Sequence, residues 1–189
     1  ITNTLTKGNL TLSKTVTGTA GETTRDFTFK VELFDENNSA LTGTFNYTGS
    51  KTGSITSGDV VTLKHGESIT INGLPLGTKY KVTENEANTD GYITTSTNDS
   101  GTIDFGSQST KFTNTKNQEL SDLTLSKTVT GTAGETTRDF TFKVELFDEN
   151  NTELTGTYNY TGSKTGSITS GGSVTLKHGE SITINDLPV

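Results

Sequence analysis

The sequence predicts an all-β protein made of tandem β-sandwich repeats, and three observations carry that prediction. Apolar and polar residues alternate at a period of two, as in Leu10-Thr11-Leu12-Ser13-Lys14-Thr15-Val16, the period of a strand with one buried face. Clusters of Gly, Asn, Asp and Ser punctuate these runs, and no segment carries helical spacing with caps. Finally, the segment LTLSKTVTGTAGETTRDFTFKVELFDENN at 10–38 recurs unchanged at 123–151, and self-similarity on this scale marks a repeated domain.

Each element of the first repeat can be read in order. Leu10 to Gly18 is the opening strand, followed by a polar turn region to Arg25. Asp26 to Phe34 is the clearest strand, with Phe27, Phe29, Val31 and Leu33 on one face, and Asp35-Glu36-Asn37-Asn38 closes it as a solvated turn. Leu41–Thr48 and Ser54–Thr56 read as short strands around a Gly/Ser/Thr loop. Val60–Lys64 and Ser68–Ile71 read as a hairpin across His65-Gly66. Asn72 to Gly77 is a turn into the strand Lys79–Glu84. Tyr92–Thr97, Thr102–Phe105 and Lys111–Thr115 complete the set.

Composition narrows the function. The 189 residues include two Pro and no Cys, Met or Trp; hydrophobic residues make up 27%, which is low, while 20% charged is ordinary. Thr, the commonest residue, forms strands well, so the expectation is a thin-cored β protein rather than a disordered chain. Such a core stabilises weakly and gains from a covalent staple, which without Cys is not a disulfide. Thiolate catalysis, thioesters and Cys-ligated metals are excluded on the same ground. A net charge of −7 and a pI of about 4.8 argue against nucleic acid and anionic lipid surfaces as partners. No run in this window approaches a membrane span or reads as a signal peptide, and targeting signals are expected to lie outside it. No Ser/His/Asp set, metal cluster or phosphate loop supports a turnover enzyme, and no cofactor or metal is expected.

The repeat sets the expected domain boundaries: 1–7 as the last strand of a preceding repeat, 8–117 as a complete sandwich, 118–122 as a linker and 123–189 as an incomplete second repeat. Ile1-Thr2-Asn3-Thr4 parallels Phe112-Thr113-Asn114-Thr115, and Leu187-Pro188-Val189 parallels Leu74-Pro75-Leu76. The second repeat is therefore expected to rely on strands from elsewhere in its own chain or from a neighbour.

Strand parity exposes three polar residues on apolar phases. Lys14 shares a face with Leu10, Leu12 and Val16; Glu84 shares one with Tyr80 and Val82; Asn114 shares one with Phe112. A buried unpaired ammonium costs several kcal/mol (roughly) unless it is neutralised, paired or consumed. Snorkelling of Lys14 from a strand edge, or an unreactive Lys14–Glu84 ion pair, would account for the pattern. So would amide formation. Apolar burial disfavours charged forms. A neutral lysine amine can attack the carboxamide carbon of Asn114, and a protonated glutamic acid can polarise the carbonyl and pass protons to the leaving ammonia. The product would be an intramolecular isopeptide bond, formed once without turnover.

The pattern LTLSKTVTG … LPLGTKYKVTE … KFTNTK resembles the isopeptide-containing surface domains of Gram-positive bacteria. It is most similar to the streptococcal backbone-pilin type, a relative of collagen-adhesin B-type modules. The resemblance implies an immunoglobulin-like or transthyretin-like sandwich, an isopeptide bond between Lys14 and Asn114, and Glu84 as its catalyst. Tyr80-Lys81-Val82-Thr83-Glu84 with Ala87 and Gly91-Tyr92 also resembles the pilin E-box, without its usual proline and with one extra residue before Gly91. Lys127 and Asn3 would be unpaired counterparts in the neighbouring repeats. The implied role is a structural stalk repeat of a cell-surface adhesin or pilus-like fibre. It would be extracellular, anchored to the cell wall by a segment outside this window, and partnered by neighbouring repeats or chains of the same protein. The alternative is a ligand-binding adhesin domain gripping a host glycan or protein through surface loops, with Tyr47, Tyr92 and Tyr160 as candidates. His65 and His178 read as turn residues.

Overall fold

A computed structural model describes residues 6–189; the expected acceptor Asn3 lies outside them. The chain divides into two compact units, Ile1–Asn117 and Gln118–Val189. The first is built from β1 (Lys7–Thr17), β2 (Phe27–Phe34), β3 (Phe45–Gly49), β4 (Gly53–Ile55), β5 (Val60–Leu63), β6 (Ser68–Pro75), β7 (Lys79–Glu84), β8 (Ile93–Thr97), β9 (Ser100–Thr102) and β10 (Ser107–Thr115). One sheet runs β4-β3-β6-β1-β10-β8 and the other β5-β2-β7-β9. Alternation places Leu10, Leu12 and Val16 of the first sheet and Phe27, Phe29, Val31 and Leu33 of the second in a single buried core. The unit is all-β, and among the described residues no helix is long and apolar enough to cross a membrane.

The terminal strands of the unit are neighbours. β1 and β10 pair in parallel, with Lys14 opposite Phe112 and Val16 opposite Asn114. The pair ends where the chain must come very close to itself. Gly18 has φ +92, and a Cβ on it would lie 2.1 Å from the Lys116 carbonyl oxygen. Gly18→Ala is therefore expected to cost at least about 1–3 kcal/mol from backbone conformation alone, read as a lower urea midpoint.

Three local expectations are corrected. Val60–Lys64 and Ser68–Ile71 do not form a hairpin: β5 pairs with β2, whereas β6 pairs with β1 and β3. The chain at His65-Gly66 crosses from one sheet to the other. Nor does Asn72-Gly73-Leu74-Pro75 leave the sheet as a turn. It continues β6, pairing with Lys7 and Gly8 past a bulge at Asn72-Gly73, which together oppose the single residue Asn9, whose Oδ1 accepts from Gly73 N at 3.1 Å. The strand expected at Thr102–Phe105 lies earlier, at Ser100–Thr102, and Phe105 is exposed.

The second unit contains β11 (Leu120–Ser126), β12 (Phe140–Lys143), β13 (Thr157–Gly162), β14 (Gly166–Thr169), β15 (Ser173–Leu176) and β16 (Ser181–Pro188). Its sheets run β11-β16-β13-β14 and β12-β15, matching β1-β6-β3-β4 and β2-β5 of the first unit. The shared sequence FTFKVELF gives a direct test of context. It is strand throughout Phe27–Phe34, where β5 pairs its first half and β7 runs along Phe29–Phe34. At 140–147 only the half paired with β15 is strand. Strand length here follows from partners, not propensity.

Candidate functional site

The first unit brings Lys14, Glu84 and Asn114 together in its core. They come from β1, the end of β7 and the end of β10, hence from both sheets. All three are buried, at 1%, 3% and 0% exposure. Lys14 Nζ donates to Glu84 Oε1 at 3.0 Å and Oε2 at 2.9 Å, and Asn114 Nδ2 donates to the same Oε1. Asn114 Oδ1 is buried without a hydrogen-bond partner, a state that costs about 1–3 kcal/mol.

Aromatic rings wall the amine. Lys14 Nζ lies 4.0 Å from the Phe27 ring centroid and 5.7 Å from that of Phe29, which packs on Phe112 at 5.2 Å. Desolvation lowers the Lys14 pKa below its ordinary 10.5, against the opposing hydrogen bond and charge of Glu84. Glu84 is held by its pairing opposite Phe29. The chain just beyond it is tied down by Glu86, whose carboxylate accepts from Thr28 N at 2.8 Å and Thr28 Oγ1 at 2.6 Å. A cleft of about 330 Å³ lies beside β7, lined by Glu84, Ala87, Thr94 and Phe112 among others.

The remaining candidate residues fall elsewhere. Tyr92 is not a surface for ligands. It is buried edge-on to Phe27, its hydroxyl accepts from Glu22 N at 2.8 Å, and Arg25 stacks beside both rings while pairing with Asp90. Tyr47 and Tyr160 pack partly buried against the two cores. Lys127 is half-buried, 4.2 Å from the Phe140 centroid; no glutamate or asparagine side chain meets its amine among the described residues. Among the described residues no group of three or more His, Asp or Glu could hold a metal ion.

Residues 8–116 and 121–189 each match the family described as a domain of unknown function, DUF7601. The chain belongs to this family. Its DUF7601 units are similar to parts of streptococcal pilus proteins. The pilus tip adhesin Cpa of Streptococcus pyogenes is 42% identical over 79 residues, covering 41% of this chain and 12% of Cpa. A solved structure of the pilus-presented adhesin Cpa matches with a TM-score of 0.51 to 0.52 across its crystal forms. In the form with the higher score, identity is 34%, over 60% of this chain and 28% of that one. The major pilin T3.2 of Streptococcus pyogenes matches with a TM-score of 0.51 and 28% identity, over 58% of this chain and 45% of that one. The chain thus spans less than half the length of the proteins it matches, and the DUF7601 fold is a pilin-type β domain.

Proposed function

We propose that this chain is a structural stalk segment of a cell-surface adhesin or pilus-like fibre, whose complete DUF7601 unit staples itself with a Lys14–Asn114 isopeptide bond. The observation that carries the reading is the convergence of a buried amine and carboxamide from the two terminal strands with a buried carboxyl from the end of β7. Similarity to pilus proteins supports the same setting. The partners it implies are further repeats and subunits of the same fibre outside the cell.

The proton needed for reaction is already in the site. Transfer along the Nζ–Oε2 hydrogen bond turns the ion pair into a neutral amine, the form that desolvation favours at Lys14, and a carboxylic acid. Rotating the Asn114 carboxamide brings its orphaned Oδ1 against Glu84, where the acid can donate to it. Nζ then attacks Cγ, and Glu84 stabilises the developing oxyanion. It then carries a proton from Nζ to the departing nitrogen. A C–N bond forms, a C–N bond breaks, and one ammonia leaves. Nothing turns over.

The bond also suits a load-bearing role. β1 and β10 are parallel, so the start of β1 and the end of β10 lie at opposite ends of the sandwich. Tension entering at Lys7 would run along β1 to Lys14, cross to Asn114 and leave at Thr115, bypassing residues 15–113. A ligand-binding role finds less support, since Tyr92 is enclosed and Tyr47 and Tyr160 are packed.

Trypsin digestion is expected to yield one branched peptide joining the Lys14 and Asn114 segments, with no cleavage after Lys14. Recovery of linear peptides ending at Lys14 contradicts the reading. A second expectation concerns pH in an Asn114→Ala chain, which retains the free amine. Because desolvation lowers the folded Lys14 pKa, the unfolded chain binds a proton that the folded chain lacks between that lowered value and 10.5. Urea stability of the variant should therefore rise with pH through this window, relative to the cross-linked parent, and show no such slope below it.

A further inference from the structure

We infer that His65 is a positioning residue for the isopeptide reaction: its imidazole clamps the segment of β1 that carries Lys14. The inference rests on the cross-link reading and adds a residue that reading does not use. The regular β1–β6 ladder ends at Ser13–Ser68, one residue before the reactive lysine. Beyond it, even-numbered residues of β1 still direct their backbone groups toward the β6 side. The crossover loop takes over there. Lys14 N donates to the Glu67 carbonyl at 3.0 Å, and Gly66 N donates to the Lys14 carbonyl at 2.9 Å. At the next even position no backbone acceptor takes the donor: Val16 N donates to His65 Nδ1 at 2.9 Å. An imidazole nitrogen thus completes the ladder one residue pair past its natural end. Since a backbone N–H can only donate, Nδ1 is the unprotonated nitrogen.

The position matters because Val16 is the residue opposite Asn114. Fixing Val16 on the β6 side fixes β1 between β6 and β10 over the two residues that set the approach of Nζ to the carboxamide. The second unit repeats the clamp independently. Lys127 N donates to the Glu180 carbonyl at 3.0 Å, Gly179 N to the Lys127 carbonyl at 2.8 Å, and Val129 N to His178 Nδ1 at 2.9 Å. There the strand neighbour of β11 among the described residues is β16, and the three hydrogen bonds run between β11 and the crossover loop. In both units the partners of the clamp come from the opening strand and the crossover loop.

The test follows loss of ammonia with time by intact mass after cell-free synthesis of the full chain. The set is the parent, His65→Ala, His65→Asn and His65→Gln. Asn places an acceptor oxygen near the Nδ1 position, whereas Gln places it farther out. Misplacing a reacting group by about 1 Å costs up to about 100-fold, so His65→Ala and His65→Gln should react about 10- to 100-fold more slowly and His65→Asn within about threefold of the parent. A merely structural histidine would not separate Asn from Gln, and urea midpoints measured on an unreactive Glu84→Ala background report any stability effect apart from rate. A parent that reacts beside a His65→Ala chain that reacts as fast overturns the clamp alone. Equal slowing in Asn and Gln also overturns it. If His65→Ala does not fold, the Asn–Gln comparison decides. A parent that never loses ammonia overturns the cross-link reading and this inference with it.

Discussion

An Asn114→Ala chain is expected to unfold at much lower urea than the parent, by about 4–5 kcal/mol for the staple alone. The bond would close a loop of nearly the whole unit, residues 14–114, and so removes much of the unfolded chain's freedom. By the chain-entropy treatment of disulfides, a loop of about 100 residues sits near the top of the attainable range. The variant keeps Lys14 and Glu84 as a buried pair, which still contributes its Coulombic attraction but carries a desolvation cost. Lys14→Ala should be worse still. It loses the same staple, strands Glu84 in the core and opens space beside Phe27, and an uncompensated buried charge costs a further 3–5 kcal/mol or so. Urea unfolding of the three chains should therefore rank parent, Asn114→Ala, Lys14→Ala. Equal stability of parent and Asn114→Ala would rule out the staple.

The second large effect is on rate. Glu84→Ala leaves the amine and carboxamide in place and is expected to leave them unjoined, because among the described residues no other carboxyl is hydrogen-bonded to both. Glu84→Gln separates shape from proton transfer. It preserves size and one acceptor oxygen but cannot carry the proton, a role worth roughly 100- to 10,000-fold. Intact mass followed over days should show no ammonia loss from Glu84→Ala and a strongly slowed loss from Glu84→Gln. Reaction of Glu84→Gln at the parental rate would reassign Glu84 to packing.

The cluster is legible in the sequence because a strand reverses its side chains at every residue. With Lys14, Glu84 and Asn114 on apolar phases, parity places each on the core-facing side of its strand. Their convergence does not, since nothing in the alternation states that β1 lies beside β10 or that β7 crosses behind them. The absent hairpin has a definite cause. His65-Gly66 between two alternating runs looks like a two-residue turn, and the local pattern is silent on whether the next strand returns to the same sheet. Gly73 and Pro75 read as a turn because Gly73 does take a turn-like positive φ, but as part of a bulge that pairing with the distant strand β1 absorbs, so β6 continues past it. His65 itself reads only as a turn residue from its neighbours in sequence. Its role depends on where the β1–β6 ladder runs out, a property of two strands far apart in the chain. The identical octapeptides at 27–34 and 140–147 make the same point, since one sequence gives a full strand or half of one according to its neighbours.

The most direct test of the staple is the intact mass of the full 189-residue chain. The expected result is a deficit of one ammonia and no more, because Lys14 meets both Glu84 and Asn114 while Lys127 meets no such partners among the described residues. A mass with no deficit would reduce Lys14, Glu84 and Asn114 to a buried polar cluster and contradict the staple.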